Sequence, residues 1–385
     1  MYQILLLSGA IFTVICYSAR KIDGFIYKVL LLIMTVMLCL RYGQGTDYFA
    51  YKYIYDKVPN TFDISFILSN DFHGEIGYFF IQELFRIVNA PFMVFCGSLS
   101  FVSMVLIHKG INELSKYKTL SLFLLIPTYY FTYLYSGIRE GFVLAITIGI
   151  IIPAYIKGNT KKYIIVLVVS TLFHLSAIVL FIPLILRAKG KRITDYSAWL
   201  IVFSVAFAVV ISVLLQFLHF QSRYVAFSPS YLAIIIRCVF FFLISKAYTK
   251  KCLLGENEMI DDILMDFYHI GFIVYLCLCP MALISARVTA YFKIAEILLF
   301  PRLVSRTIKK KTASVTSRRI VVHLFVIIVI VLSLVEGFKN LGSYADQGHY
   351  NENIGFYNYP YVSIFGIDKL YEYRSVSYYD MLVND

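Results

Sequence analysis

Apolar runs long enough to cross a bilayer recur along this chain from its first residues to about position 336, and nothing else constrains its fold as strongly. A spanning helix needs about 20 mostly apolar residues. Inside hydrocarbon every backbone N–H and C=O must be satisfied within the segment or its partners, which leaves helices and closed barrels. The period-2 alternation that a barrel strand requires is missing from these runs. The expected class is therefore all-α: a polytopic integral membrane protein of about 10–12 transmembrane helices. Composition agrees, with 60% hydrophobic and 15% charged residues against about 45–50% and 25% in soluble proteins.

The expected spans are 2–18, 25–40, 91–108, 119–135, 141–157, 197–218, 230–248, 265–284, 286–304 and 320–336. The opening run, Met1 to Ser18, has no basic residue before it, and Arg20 and Lys21 follow it. It reads as a retained helix that starts outside. Two further segments need their own treatment. Segment 76–90 sets Phe79, Phe80, Leu84 and Val88 against Gln82, Glu83 and Arg86, and is expected to lie in the interface, the place its amphipathic pattern fits, or to re-enter. Segment 162–186 is apolar, yet Lys161 and Lys162 precede it and Arg187, Lys189, Lys191 and Arg192 follow it. One crossing would put a basic cluster on the wrong side, so a hairpin of two short helices is expected, broken near Ser170–His174, with His174 at its tip.

With Arg20 and Lys21 inside, the remaining loops alternate. Of the 35 Lys and Arg, 22 fall inside and 9 outside, the bias expected of a membrane protein. That bias accounts for most of the net charge of +12 without invoking nucleic acid. Residues 1–336 form one transmembrane domain, and 337–385 a tyrosine-rich tail on the outer side. Six of the seven cysteines lie in apolar runs and read as buried small hydrophobes. No zinc, P-loop or Ser-His-Asp pattern occurs, and metal independence and the absence of a cofactor are expected.

Four arginines break the sidedness bias. Arg41, Arg139, Arg223 and Arg287 each stand at an outer helix boundary. Guanidinium groups converging at one face make an anion site, because their planar fork gives paired, charge-assisted hydrogen bonds to phosphate. The plain alternative is that each snorkels alone to the headgroups. Glu140, beside Arg139, has the position of a helix N-terminal charge. Arg287 and Tyr291, spaced i, i+4, share a helix face. Lys293 and Glu296 further along can simply pair. Asp47, after Gly43 and Gly45 and among Tyr42, Tyr48 and Tyr51, is the leading acid, with a turn or cap role as its alternative. Glu75 opens the interfacial segment next to Tyr78, and His174 is an ionisable group inside an apolar run.

These pieces occur in a recognisable order: Arg-Tyr-Gly-Gln-Gly-Thr-Asp-Tyr at 41–48, Glu-Ile-Gly-Tyr at 75–78, Ile-Arg-Glu at 138–140, Phe-His-Leu-Ser-Ala at 173–177, and Arg287 with Tyr291-Phe292. The pattern resembles the EpsG-type, Wzy-like bacterial polysaccharide polymerases over about residues 1–340. It departs at Glu140, where glutamine often follows Ile-Arg. The resemblance implies glycosyl transfer at the outer leaflet of the bacterial plasma membrane. A glycan on undecaprenyl diphosphate would pass to the sugar of another lipid-linked repeat unit, within an O-antigen, capsule or exopolysaccharide pathway that supplies flippase and chain-length partners. In that chemistry Arg139, Arg287 and Arg223, with Arg41, would stabilise the leaving diphosphate. Asp47 or His174 would act as base, and Tyr42, Tyr48, Tyr78 and Tyr291, with Glu75 and Glu140, would line the substrate site. A flippase for the same lipid and an outer-leaflet ligase or acyltransferase are the competing readings. A flippase should carry charge through the midplane and a two-fold repeat, and neither is evident in this sequence.

Overall fold

The structure, a computed structural model, describes residues 1–68, 75–217, 227–253, 258–305, 315–348 and 350–373. The helices in chain order are α1 (Tyr2–Ser18), α2 (Asp23–Cys39), α3 (Tyr48–Lys57), α4 (Ile64–Leu68), α5 (Ile76–Ile87), α6 (Phe92–Leu114), α7 (Lys118–Leu125), α8 (Ile138–Ile146), α9 (Ile152–Ile156), α10 (Thr160–Phe173), α11 (Phe181–Ala188), α12 (Ser197–Phe217), α13 (Tyr231–Leu253), α14 (Met259–Leu278), α15 (Ala282–Lys293), α16 (Glu296–Ser305), α17 (Val315–Gln347) and α18 (Lys369–Tyr373). Among the described residues β-pairing is limited to two isolated bridges, Arg41 with Ser363 and Ser228 with Met281.

Among the described residues six helical stretches are long and apolar enough to cross a membrane: Arg20–Cys39, Phe92–Leu114, Ile138–Ile156, Ile193–Phe217, Tyr231–Leu253 and His323–Gln347. The chain is thus an all-α, multi-pass membrane protein. The other expected spans are helical in different ways. The shorter α1 is mostly apolar. A π-helical stretch, Ile126–Ser136, carries α7 onward, and another, Thr147–Ile151, joins α8 to α9. Each wide stretch adjoins a proline, Pro127 or Pro153, whose missing N–H and bulky ring disturb the i→i−4 ladder.

Several boundaries differ from the sequence expectation. Span 286–304 is broken at Ile294–Ala295 into α15 and α16. Helix α14 begins well before position 265 because Glu258 and Asp261 form a reciprocal capping box around its first turn. Helix α17 runs without interruption past 336 to Gln347. The 162–186 segment does fold as two helices. Its break lies at His174, which is extended (φ −158°, ψ 113°), and a 3-10 turn, Leu175–Leu180, leads into α11. The hairpin closes through Tyr163 Oη, which donates to the Leu180 carbonyl at 2.6 Å, and Arg187 Nη1, which donates to the Tyr155 carbonyl at 2.6 Å.

Helix α5 is amphipathic as expected, but the polar face of Gln82 and Glu83 is buried, while Phe80, Leu84 and Val88 are exposed. That inversion suits a helix whose outer face meets lipid rather than water. Helix α6 packs against the Ile138–Ile156 stretch so closely that a Cβ on Gly110 would strike the Ile148 carbonyl and one on Gly149 the Leu106 carbonyl, the small-residue crossing favoured in bilayers.

The molecule has two chemically distinct ends. At one, basic loops meet: the Asp23 carboxylate accepts from the Lys118 and Thr119 N–H groups, Lys116 pairs with Glu258, and Arg192 pairs with Asp262 and Asp266. Arg302 reaches Asp261, Glu258 and the Leu114 carbonyl, and Lys251 also pairs with Asp261. At the other end the 41–48 loop is strapped by the tail. The Tyr42 N–H donates to the Val362 carbonyl and the Ile364 N–H to the Leu40 carbonyl, each at 2.9 Å.

Candidate functional site

The 41–48 loop owes its path to its two glycines. Gly43 (φ 65°) and Gly45 (φ 91°) both lie in the left-handed region, which suits glycine. A Cβ on Gly45 would come within 2.7 Å of the Tyr135 carbonyl and 2.9 Å of Ser136 Oγ. The loop is therefore seated on the Ser136-Gly137 break, and the Thr46 N–H donates to Ser136 Oγ at 2.9 Å. Below it, Tyr42, Tyr48, Phe49, Tyr51, Tyr55, Tyr78, Phe92 and Phe95 form a small aromatic core.

This core fixes the break at which Arg139 and Glu140 begin α8. The Arg139 guanidinium lies over the rings of Tyr51 and Tyr78, 5.5 and 5.6 Å from their centroids, close enough for cation–π attraction. Its Nη1 donates to Glu75 Oε2 at 2.6 Å. Glu75 caps the start of α5, and its other oxygen accepts from His174 Nδ1 at 2.9 Å and from the Leu175 N–H at 3.4 Å. On the far side of the imidazole, Nε2 stands 3.7 Å from Glu140 Oε2, too long for a hydrogen bond. Glu140 Oε1 is buried with no hydrogen-bond partner among the described residues.

Glu75 is thus the hub that joins α5, α8 and the hairpin tip. Burial alone pushes its carboxyl up, but the His174 hydrogen bond and the Arg139 charge outweigh that and hold it below its ordinary value. Burial raises Tyr51 and keeps it a phenol. Helix α15 closes the site from the other side. Tyr291 is fully buried, with its hydroxyl 3.1 Å from Ser176 Oγ. Arg287 is partly buried and within electrostatic range of Glu140, Tyr51 and Tyr133.

The structure therefore gathers Glu75, Arg139, Glu140, His174, Arg287 and Tyr291 from four distant parts of the chain, with Tyr78 beneath Arg139. Asp47 stands at the N-cap of α3, where its carboxylate accepts from Thr46 Oγ1 at 3.1 Å. Arg41 is fully buried. Its guanidinium donates to the Leu38 and Leu134 carbonyls and to Ser100 Oγ at 2.6, 3.1 and 3.0 Å, and it lies 4.9 Å from the Tyr135 ring centroid. These contacts tie the loop to the bundle. Tyr48 packs edge-on against Phe92, and Tyr42 against Tyr48. Arg223 lies outside the described residues. Ser176 was not anticipated, although it sits inside the Phe173–Ala177 motif. Among the described residues no group of three or more His, Cys, Asp or Glu side chains is placed to hold a metal ion.

Chemically, the site offers an imidazole oriented by one carboxylate, a second carboxylate opposite, and two guanidiniums. That set can take a proton from a hydroxyl and stabilise a developing anion. In comparison with known proteins, the model of the EpsG family matches residues 24–359, a range that contains every one of these residues. No curated protein and no solved structure matches the chain.

Proposed function

The chain belongs to the EpsG family, which supports a polysaccharide-polymerase-like role; from that premise we propose that it is a membrane glycosyltransferase acting at the outer leaflet of the bacterial plasma membrane. The donor is a glycan on a polyprenyl diphosphate, and the acceptor is the sugar of another lipid-linked repeat unit. One observation carries this reading: a single carboxylate, Glu75, holds both a guanidinium (Arg139) and an imidazole (His174) in place, at the end of the molecule opposite the basic loops.

The roles follow from the geometry. With Nδ1–H donating to Glu75, the Nε2 lone pair of His174 takes the proton of the acceptor hydroxyl. The oxygen bonds to the anomeric carbon, and the bond from that carbon to the diphosphate oxygen breaks. The diphosphate leaves with the electron pair, and its new charge falls to Arg139 and Arg287, already fixed in position. In this reading Asp47, the other candidate base, shapes the loop through its position at the start of α3 and its contact with Thr46. Tyr51, Tyr78 and Tyr291 hold the arginines and the hairpin tip. The positive-inside bias supports placing the basic end in the cytoplasm and this site outside.

The deciding experiment is a lipid-linked oligosaccharide profile of a strain lacking the protein. Single repeat units accumulating outside the membrane support the polymerase. Accumulation inside points to a flippase, and polymer that forms but fails to attach points to a ligase.

A further inference from the structure

On the opposite side of α15 from the hairpin tip lies a second feature that the chemistry above does not use. Helix α13 leans on α14 and α16 and makes little direct contact with α17. The gap between α13 and α17 is a groove, floored by α7, its π-helical continuation, and the α15–α16 break. Its more apolar half is lined by Leu124, Ile236, Phe240, Ile244, Phe300 and Val329, and also meets Arg237, Lys293, Glu296 and Glu336. The adjoining half is a water-accessible cavity of about 280 Å³, also lined largely by apolar surface, with Arg237, Lys293 and Glu336 among its polar groups.

The charges there are uneven. Lys293 sits between Glu296 and Glu336, at 3.6 and 3.4 Å. Arg237 has no carboxylate within salt-bridge range among the described residues. Its Nη2 donates to Thr289 Oγ1 at 3.1 Å, and its face lies 4.7 Å from the Tyr275 ring centroid. Lys339 adds a third cation at the groove wall, so three cations face two carboxylates. An arginine inside a spanning helix carries a large desolvation cost and marks a functional position unless it is paired. Arg237 lies six residues into α13, about 9 Å from the helix start at 1.5 Å per residue. Its guanidinium stands beside the apolar lining of the groove.

We propose that this groove seats a second polyprenyl-linked diphosphate, other than the donor whose leaving group falls to Arg139 and Arg287, with the isoprenoid tail in the more apolar half and the diphosphate on Arg237 and Lys293. The shape matches an amphiphile with one long tail and a compact dianionic or trianionic head, and planar guanidinium–phosphate pairing suits the head. The groove shares a wall, α15, with the Arg287–Tyr291 site. Tyr133 lines it and donates to the Ala286 carbonyl at 3.1 Å. The inference rests on the polymerase reading for the biological role of the lipid, but not for its binding.

The test uses the full chain in nanodiscs, titrated separately with undecaprenyl diphosphate, undecaprenol and inorganic diphosphate. Losing one charge-assisted contact should weaken undecaprenyl diphosphate binding about ten- to a hundredfold in Arg237→Gln, leave undecaprenol unchanged, and be largely restored in Arg237→Lys. Val329→Trp, which fills the apolar half, should weaken both lipids and spare inorganic diphosphate. Wild-type undecaprenyl diphosphate affinity in Arg237→Gln overturns the proposal, as does inorganic diphosphate binding as tightly as the lipid. If Arg237→Gln fails to fold, undiminished lipid binding in Val329→Trp overturns it. A strain profile that excludes polymerase action while these binding results hold defeats the functional reading and leaves the groove standing.

Discussion

Replacing Glu75 with glutamine removes one charge and keeps the volume, so its effect isolates what the carboxylate does. Glu75 accepts from Arg139 at 2.6 Å and from His174 at 2.9 Å. Each is a hydrogen bond to a charged group, worth about 1.5–3 kcal/mol. Glutamine keeps an oxygen for one partner and loses the charge for both, so the net loss of positioning energy is about 2–3 kcal/mol. If that positioning is expressed in the transition state, the rate falls about a hundredfold. The assay is the polymer ladder of a deletion strain complemented with Glu75→Gln, with membrane insertion measured by a tag. The shift of Glu75 below its ordinary value adds a pH signature. A depressed carboxyl contributes stability that is full above its unfolded value and is lost as pH falls through its folded value. The stability gap between wild type and Glu75→Gln should therefore be widest near neutrality and close on the acid side. A variant that makes full-length polymer at the wild-type rate refutes the assignment of Glu75 as hub.

Three further outcomes are expected. Gly45→Ala adds a methyl at φ 91° against the Tyr135 carbonyl and should destabilise the loop by about 1–3 kcal/mol, read as a lower melting temperature in detergent together with reduced polymer. Arg302→Ala leaves Asp261, which is fully buried, with Lys251 as its one cationic partner among the described residues, and should cost about 3–5 kcal/mol by the same melting measurement, at the end of the molecule far from the site. Single cysteines introduced at Ser176 and Lys116 in a chain with its native cysteines removed should label from opposite sides of intact cells, Ser176→Cys from outside. Labelling of both from one side would break the proposed orientation.

Much of this architecture is legible in the primary structure, for identifiable reasons. The 162–186 hairpin could be deduced because two basic flanks forbid one crossing, a constraint of charge rather than of packing. The glycines of the 41–48 loop announce backbone conformations that other residues resist. The direction of α5's faces was not legible, since Gln82 and Glu83 are buried while Phe80 and Leu84 are exposed, the reverse of a water-facing helix. The four-arginine cluster was legible only in part. Arg41 looks like Arg139 in the sequence, yet only tertiary contacts reveal that its terminal nitrogens donate to backbone carbonyls and to Ser100. The break at Ile294–Ala295 left no proline or glycine signal at all. The charges around Arg237 were visible as ionisable residues inside apolar runs, but their convergence depends on how α13 and α17 stand apart.

The strap between the 41–48 loop and residues 362–364 joins positions more than three hundred residues apart. During synthesis the early loop must wait, already inserted, for almost the entire polypeptide to leave the ribosome before its hydrogen-bonding register is complete. Assembly of this end is consequently a late event. A chain cut short before Tyr359 should enter the membrane with its hairpin and basic loops in order, yet hold an unfastened Arg41 segment.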